Sequence, residues 1–162
     1  MSKSAVVGVI LTWCFLVAGL LIGFIFHLNF ISPLCCITGW ILFLIGMYIH
    51  YLSHRVHPKA HETIDEINYV ATRGIYSWIR HPGYLGIMLA FFGVAIAFGS
   101  IPAIIIATIL SVLHYTQAVR EEKLMLRKFG RTYMEYMEKV PDRFIPLRKL
   151  IRILRDRSNP KP

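Results

Sequence analysis

Four apolar runs without a single charged residue occupy residues 5–26, 34–52, 84–98 and 101–118. A helix that crosses a bilayer needs about 20 apolar residues, within a working range of about 17–25. The first, second and fourth runs reach that range. The third is short, which requires tilt or extension through Pro82 and Gly83. Inside hydrocarbon every backbone N–H and C=O must be satisfied within the segment, so such runs fold as helices. The expected fold is all-α, a polytopic membrane protein with four transmembrane helices in one membrane domain over residues 1–162. Residues 27–33 and Gly99-Ser100-Ile101-Pro102 are short connections, and Pro102 suits a first helical turn.

Charge follows the same division. Of 18 Lys and Arg, Lys3 precedes the first run, and Arg55, Lys59, Arg73 and Arg80 lie between the second and third. The rest follow the fourth run, and all nine acidic residues share these segments. Basic residues collect on the cytoplasmic side of membrane proteins. Four crossings bring the N-terminus, the 53–82 loop and the 119–162 tail to one face. Three or five would split the basic residues. Both termini are therefore expected to be cytoplasmic.

The net charge of +9 does not point to nucleic acid, because the charges flank apolar runs and line no soluble face. Such flanks suit anionic lipid headgroups. With 56% hydrophobic and 17% charged residues, against about 25% charged in soluble domains, lipid is the expected solvent for much of the surface. The first run lacks a small-x-small cleavage site and reads as a retained span. Cys14, Cys35 and Cys36 are odd in number, without a CxxC pair, and read as small hydrophobes.

The 53–82 loop is long enough to carry function. From Arg120 to Arg131 the fourth helix continues out of the membrane as a charged, amphipathic stretch. Residues 147–155 mix Leu and Ile with Arg and Lys at near-helical spacing, which predicts a C-terminal amphipathic helix lying on membrane lipids.

Three polar groups sit at the membrane boundary, where function concentrates. In Arg80-His81-Pro82-Gly83-Tyr84, Pro82 disfavours helix through His81 and Gly74 permits an earlier turn. A cation, an imidazole and a phenol are thereby aimed at one region and can hold a carboxylate or phosphate. An interfacial anchor of Arg, Tyr and Trp is the plainer reading of the same residues. The second group is Glu121-Glu122. Adjacent helical positions point about 100° apart, so only one of the two can turn inward to a ligand, and a solvated helix surface with Lys and Arg neighbours is the alternative reading. The third is His50, His54, His57 and His61. Pro58 interrupts the helix before His61 and no carboxylate or cysteine completes a set, so no metal is assigned. His27 and His114 read as packed or hydrogen-bonded core residues, with His114 three residues before Gln117.

The Arg80–Tyr84 string, Glu121-Glu122, the Phe129-Gly130-Arg131-Thr132-Tyr133 segment and the Val140-Pro141-Asp142-Arg143-Phe144 close come in this order over roughly residues 60–146. Together they resemble the isoprenylcysteine carboxyl methyltransferase family and the related phospholipid methyltransferases. The resemblance implies S-adenosylmethionine in a cytoplasmic cofactor pocket. It implies cofactor contacts at Asn68, Tyr69, Val70, Ala71, Tyr76, His81, Pro82, Gly83, Tyr84 and Glu121. Family members often have histidine at the Asn68 position. Those acting on isoprenylcysteine often carry arginine four residues before the first glutamate, where this chain has Gln117. Gln117, Arg120 and Arg143 are then the substrate-side candidates.

Methyl transfer is an in-line displacement that rests on alignment and on exclusion of water. An amine acceptor must lose a proton, for which His81, Glu121 and Glu122 are the candidate catalytic groups. The expected activity is transfer to a lipid or lipidated acceptor, either isoprenylcysteine carboxylate-like or phospholipid-like. Two readings compete with it. Membrane sterol reductases end in a similar Arg-His-Pro-x-Tyr string and bind NADPH, though they are usually larger. A non-catalytic scaffold would use the basic tail for lipid alone.

Overall fold

The computed structural model describes residues 3–58 and 64–158. Lys59 and His61 of the sequence reading lie outside the described residues. Helices run over Lys3–Ile25 (α1), Pro33–Val56 (α2), Pro82–Ala97 (α3), Ile101–Phe129 (α4), Arg131–Lys139 (α5) and Leu147–Ser158 (α6). Single 3₁₀ turns cover Ile64–Glu66 and Gly74–Ser77. The described residues contain no strand, only one isolated bridge between Asn29 and Ser100.

Three helices are long and apolar enough to cross a membrane: Val7–Ile25 of α1, then α2 and α4. Their outward faces carry exposed Phe15, Leu21, Leu44, Ile105 and Val112, which suits lipid and not water. The chain is thus a membrane protein. α3 has 16 residues and spans roughly 24 Å, short of the about 30 Å hydrocarbon core.

Local chemistry sets the helix ends. Ser32 caps α2, its Oγ accepting the Cys35 amide at 3.1 Å, with Pro33 in the first turn. Ser100 caps α4 in the same way through the Ala103 amide at 3.3 Å. Gly99 turns the chain at φ +57 between α3 and α4. The two uncharged connections pair with each other. The Phe30 amide donates to the Gly99 carbonyl at 2.9 Å, and the Ile101 amide to the Leu28 carbonyl at 3.1 Å. Both connections therefore sit at one end of the bundle. His27 is exposed there at φ 54, so it is a turn residue and not the core residue expected from sequence.

α3 lies against α2 along a seam of small residues. A Cβ on Gly86 would stand 2.6 Å from the Gly46 carbonyl oxygen and 2.6 Å from the His50 amide. One on Gly93 would stand 2.8 Å from the Gly39 carbonyl oxygen. Small residues let membrane helices approach to backbone contact. α4 packs on α1 and on the other side of α3 around Leu16, Phe91, Ala95, Ala103, Ala107 and Leu110. α4 continues without a break through the Ala118–Arg120 boundary to Phe129, and Gly130 at φ +51 ends it. α5 then folds back, burying Tyr133 and Tyr136 with Val140.

Candidate functional site

At the charged end of the bundle α1 begins, α2 ends, α3 begins and α4 emerges from its apolar stretch. A cavity of about 850 Å³ lies among them. Small-molecule sites usually measure about 300–1,000 Å³.

The approach to α3 builds one wall. Gly74, at φ +57, opens the 3₁₀ turn that delivers Tyr76 to the interior. The Tyr76 hydroxyl and Ser53 Oγ are hydrogen-bonded at 2.8 Å, and Tyr136 donates to the Tyr76 carbonyl at 2.8 Å. Burial pushes the Tyr76 hydroxyl up to about 12, so it stays a neutral phenol. His81 keeps a non-helical backbone (φ −125, ψ 59), and Pro82 begins α3. The Arg80 and His81 amides donate to the Asp142 and Arg143 carbonyls at 3.1 and 3.0 Å. The segment between α5 and α6 thus straps this turn in place.

The two adjacent carboxylates part company. Glu122 is buried and accepts Arg80 Nε at 2.9 Å, His81 Nε2 at 3.1 Å, Arg143 Nε at 3.0 Å and Arg143 Nη2 at 2.7 Å. Arg80 Nη1 donates to the Val140 carbonyl at 2.8 Å. Such a buried carboxylate is stable only because charged donors surround it. Glu121 lines the cavity. It accepts the Tyr84 hydroxyl and Gln117 Nε2, the latter at 3.3 Å. Donation from Nε2 leaves His81 Nδ1 toward Glu121 Oε2, 4.0 Å away. His81 therefore lies between the structural carboxylate, which it bonds, and the open one.

The sequence-predicted residues separate along the same line. Val70, Ala71, Tyr76, His81, Gly83, Tyr84, Gln117 and Glu121 form part of the cavity wall. Pro82 is buried, and Glu122 sits with the arginines; neither is on the wall. Asn68 is exposed and off the wall. Tyr69 is also off it, its hydroxyl bonded to His57 Nδ1 at 2.8 Å. Arg120 is exposed. Arg143 donates to the Tyr115 hydroxyl at 3.1 Å beyond its bonds to Glu122, and those bonds push its guanidinium further up. Neither arginine reaches the cavity wall.

Sequence reasoning singled out His50, His54 and His57 as a boundary group but did not foresee Ser53 or the α1 residues that complete the opposite wall. His50, Ser53, His54 and His57 line it from the last turns of α2, and Gly8, Val9 and Thr12 from the start of α1. His50 Nδ1 bonds the Gly83 carbonyl at 3.1 Å, and the His50 and His54 rings lie 4.5 Å apart. Among the described residues no three His, Cys, Asp or Glu are placed to hold a metal ion. The available signal was polar side chains on the end of an otherwise apolar helix. His114 packs near Tyr84 and Phe91, at 5.3 and 5.8 Å between ring centres. It lines the cavity, and its Nε2 is buried without a hydrogen-bond partner.

Residues 34–132 match the profile of the phospholipid methyltransferase family. That stretch holds the Arg80–Tyr84 turn and both glutamates. The chain is 29% identical over 122 residues to the protein-S-isoprenylcysteine O-methyltransferase of Saccharomyces cerevisiae, across 72% of this chain and 51% of that protein. To the Xenopus laevis protein of the same name it is 32% identical over 73 residues, 44% of this chain and 25% of the other. To a probable protein-S-isoprenylcysteine O-methyltransferase of Oryza sativa subsp. indica it is 27% identical over 109 residues, 64% and 57%. The match thus spans little more than half the length of these relatives at most.

Proposed function

The chain belongs to the phospholipid methyltransferase family, and on that premise we propose that it is a membrane methyltransferase that uses S-adenosylmethionine on a lipid or lipidated acceptor. The observation that carries the reading is a cavity at the charged end of the bundle with one carboxylate, Glu121, turned into it. When bound, S-adenosylmethionine supplies an electrophilic methyl group on a sulfonium. The residues fit it in kind. Glu121 suits its cationic or hydroxyl parts, and His81 with Tyr84 suits its carboxylate. Val70, Ala71, Tyr76, Gly83 and Tyr84 offer shape and stacking surface around the rest.

Glu121 and His81 do the acid–base work in this reading. Glu121 takes the proton of an acceptor that must lose one, and Tyr84 and Gln117 orient its carboxylate. Glu122 is the positioning residue, since it fixes Arg80 and His81 behind the wall. Arg80 lines the cavity, but its Nε and Nη1 are committed to Glu122 and Val140. An acceptor that needs a cation of its own is therefore poorly served, and a phospholipid-like acceptor fits better than a carboxylate. Its apolar part would lie along Val9 and Thr12 of α1.

Four passes, counting the short α3, with both termini, the 53–82 loop and the cavity on the cytoplasmic face, fit the pairing of the two uncharged connections at the opposite end. Calorimetric titration of S-adenosylmethionine and S-adenosylhomocysteine into detergent-purified protein tests the site. Saturable binding of both, weakened about 10–100-fold in Glu121→Gln through loss of a charged hydrogen-bond partner, is the expected result. Binding of NADPH instead would favour a reductase, and no binding of any of the three would leave a scaffold.

A further inference from the structure

The helix α6 is tied to the site in two places, through Asp142 and through Lys149. Asp142 is buried, and its Oδ2 accepts the Arg148 and Lys149 amides at 2.9 and 3.2 Å, capping the start of α6. The same residue's carbonyl, with that of Arg143, holds the Arg80 and His81 amides. Lys149 Nζ donates to the Ser77 carbonyl at 2.6 Å and lies 4.4 Å from the centre of the Trp78 ring. One short segment therefore joins the first turn of α6 to the loop that aims His81 into the cavity.

The other side of α6 faces outward. Leu147, Leu150, Ile151 and Leu154 are exposed, at 58%, 42%, 63% and 64%. Arg148 and Arg155 are exposed beside them, and the sequence adds Arg152 and Arg157 against a single acid, Asp156. A basic helix with an uncovered apolar stripe suits a bilayer surface bearing anionic headgroups. The same chain already sits in a bilayer through α1, α2 and α4, so that surface is always within reach.

We propose that α6 docks on anionic phospholipid headgroups and that docking, passed through Asp142 and Lys149, fixes the Arg80-His81 turn, so that the cavity binds its ligand well only in an anionic membrane. The geometry gives the sign. A docked α6 keeps Asp142 at its cap and Lys149 on Ser77. A detached α6 loosens both, and with them the carbonyls that hold the Arg80 and His81 amides. Only the ligand arm of this proposal rests on the methyltransferase reading.

The test reconstitutes the full chain in phosphatidylcholine bilayers, with and without phosphatidylserine, at low salt. Hydrogen exchange at the Arg80 and His81 amides should slow by about fivefold or more with phosphatidylserine, the lower end of ordinary coupling between sites. S-adenosylhomocysteine should bind more tightly by a similar factor, and high salt should erase both effects. Arg148→Gln with Arg155→Gln should abolish the response. Asp142→Ala, which removes the acceptor of the Arg148 and Lys149 amides, should keep α6 protected on phosphatidylserine while uncoupling the turn. Equal exchange in the two bilayers would overturn the proposal, as would α6 docking with no change at Arg80 and His81, or inorganic phosphate reproducing the effect. A slowed turn with no S-adenosylhomocysteine binding in any bilayer would keep the coupling and remove the methyl-donor reading.

Discussion

Glu121 and Glu122 sit one residue apart, yet substituting each should give a different kind of damage. Glu122→Gln leaves Arg80 and Arg143 short of their counter-charge in a buried setting. Breaking such a cluster costs about 3–5 kcal/mol, so thermal unfolding in detergent should shift strongly downward. Glu121→Gln should leave the unfolding temperature nearly unchanged, because its side chain is 29% exposed and its partners remain satisfiable, while ligand binding falls. Equal destabilisation by both would contradict the division of roles. Helical geometry alone allowed at most one of the two carboxylates to face a site; only the family resemblance pointed to Glu121, because the choice depends on how α4 is rotated against the Arg80 turn. Nor did the sequence show Arg143 facing Glu122, a contact that comes from the segment after α5. Tyr76 adds a pH signature. Its pKa rises from 10.0 to about 12, so the folded state holds the proton more tightly than the unfolded state. The stabilisation is complete below pH 10 and is lost as pH climbs to about 12, by an amount on the order of 2–3 kcal/mol. Unfolding curves recorded across that window should flatten in Tyr76→Phe, with the remaining slope due to Tyr133 and Tyr136, whose hydroxyls burial also pushes up.

At the scale of elements, the short helix α3 depends on the seam with α2. Gly86→Val would drive a side chain into the Gly46 carbonyl and the His50 backbone. Overpacking of this kind costs about 1–3 kcal/mol, and here it would also push His50 away from the Gly83 carbonyl. Gly8→Ala, with nothing within 4 Å of the added carbon, should keep the wild-type unfolding temperature or raise it slightly. The comparison is read directly from thermal unfolding of the two variants. The apolar runs, the turn at His81-Pro82 and the turn at Gly99-Ser100-Ile101-Pro102 were legible because each is a local property of the chain. The glycine seam was not, since Gly39, Gly46, Gly86 and Gly93 acquire meaning only once α2 and α3 are known to be partners. The same reason hid Ser53 on the α2 wall, which meets Tyr76 across 23 positions of sequence.

Across the whole molecule, the partition of charge was the most informative pattern. It separates the end where residues 27–33 pair with Gly99 and Ile101 from the end that holds the cavity. In a background with Cys14, Cys35 and Cys36 replaced by serine, His27→Cys should react with a membrane-impermeant thiol reagent from the side opposite to Arg148→Cys. Reaction of both from one side would contradict four passes. The acceptor is the property least written into the chain, because specificity depends on what faces Glu121 and not on any motif. The most direct measurement of the central claim supplies methyl-labelled S-adenosylmethionine to the purified protein in bilayers of mixed lipids and follows the label by mass spectrometry. The account predicts label in a lipid product, abolished by Glu121→Gln and retained, per folded molecule, by Ile105→Val on the outward face of α4. No labelled lipid, or labelling that persists in Glu121→Gln, would contradict it.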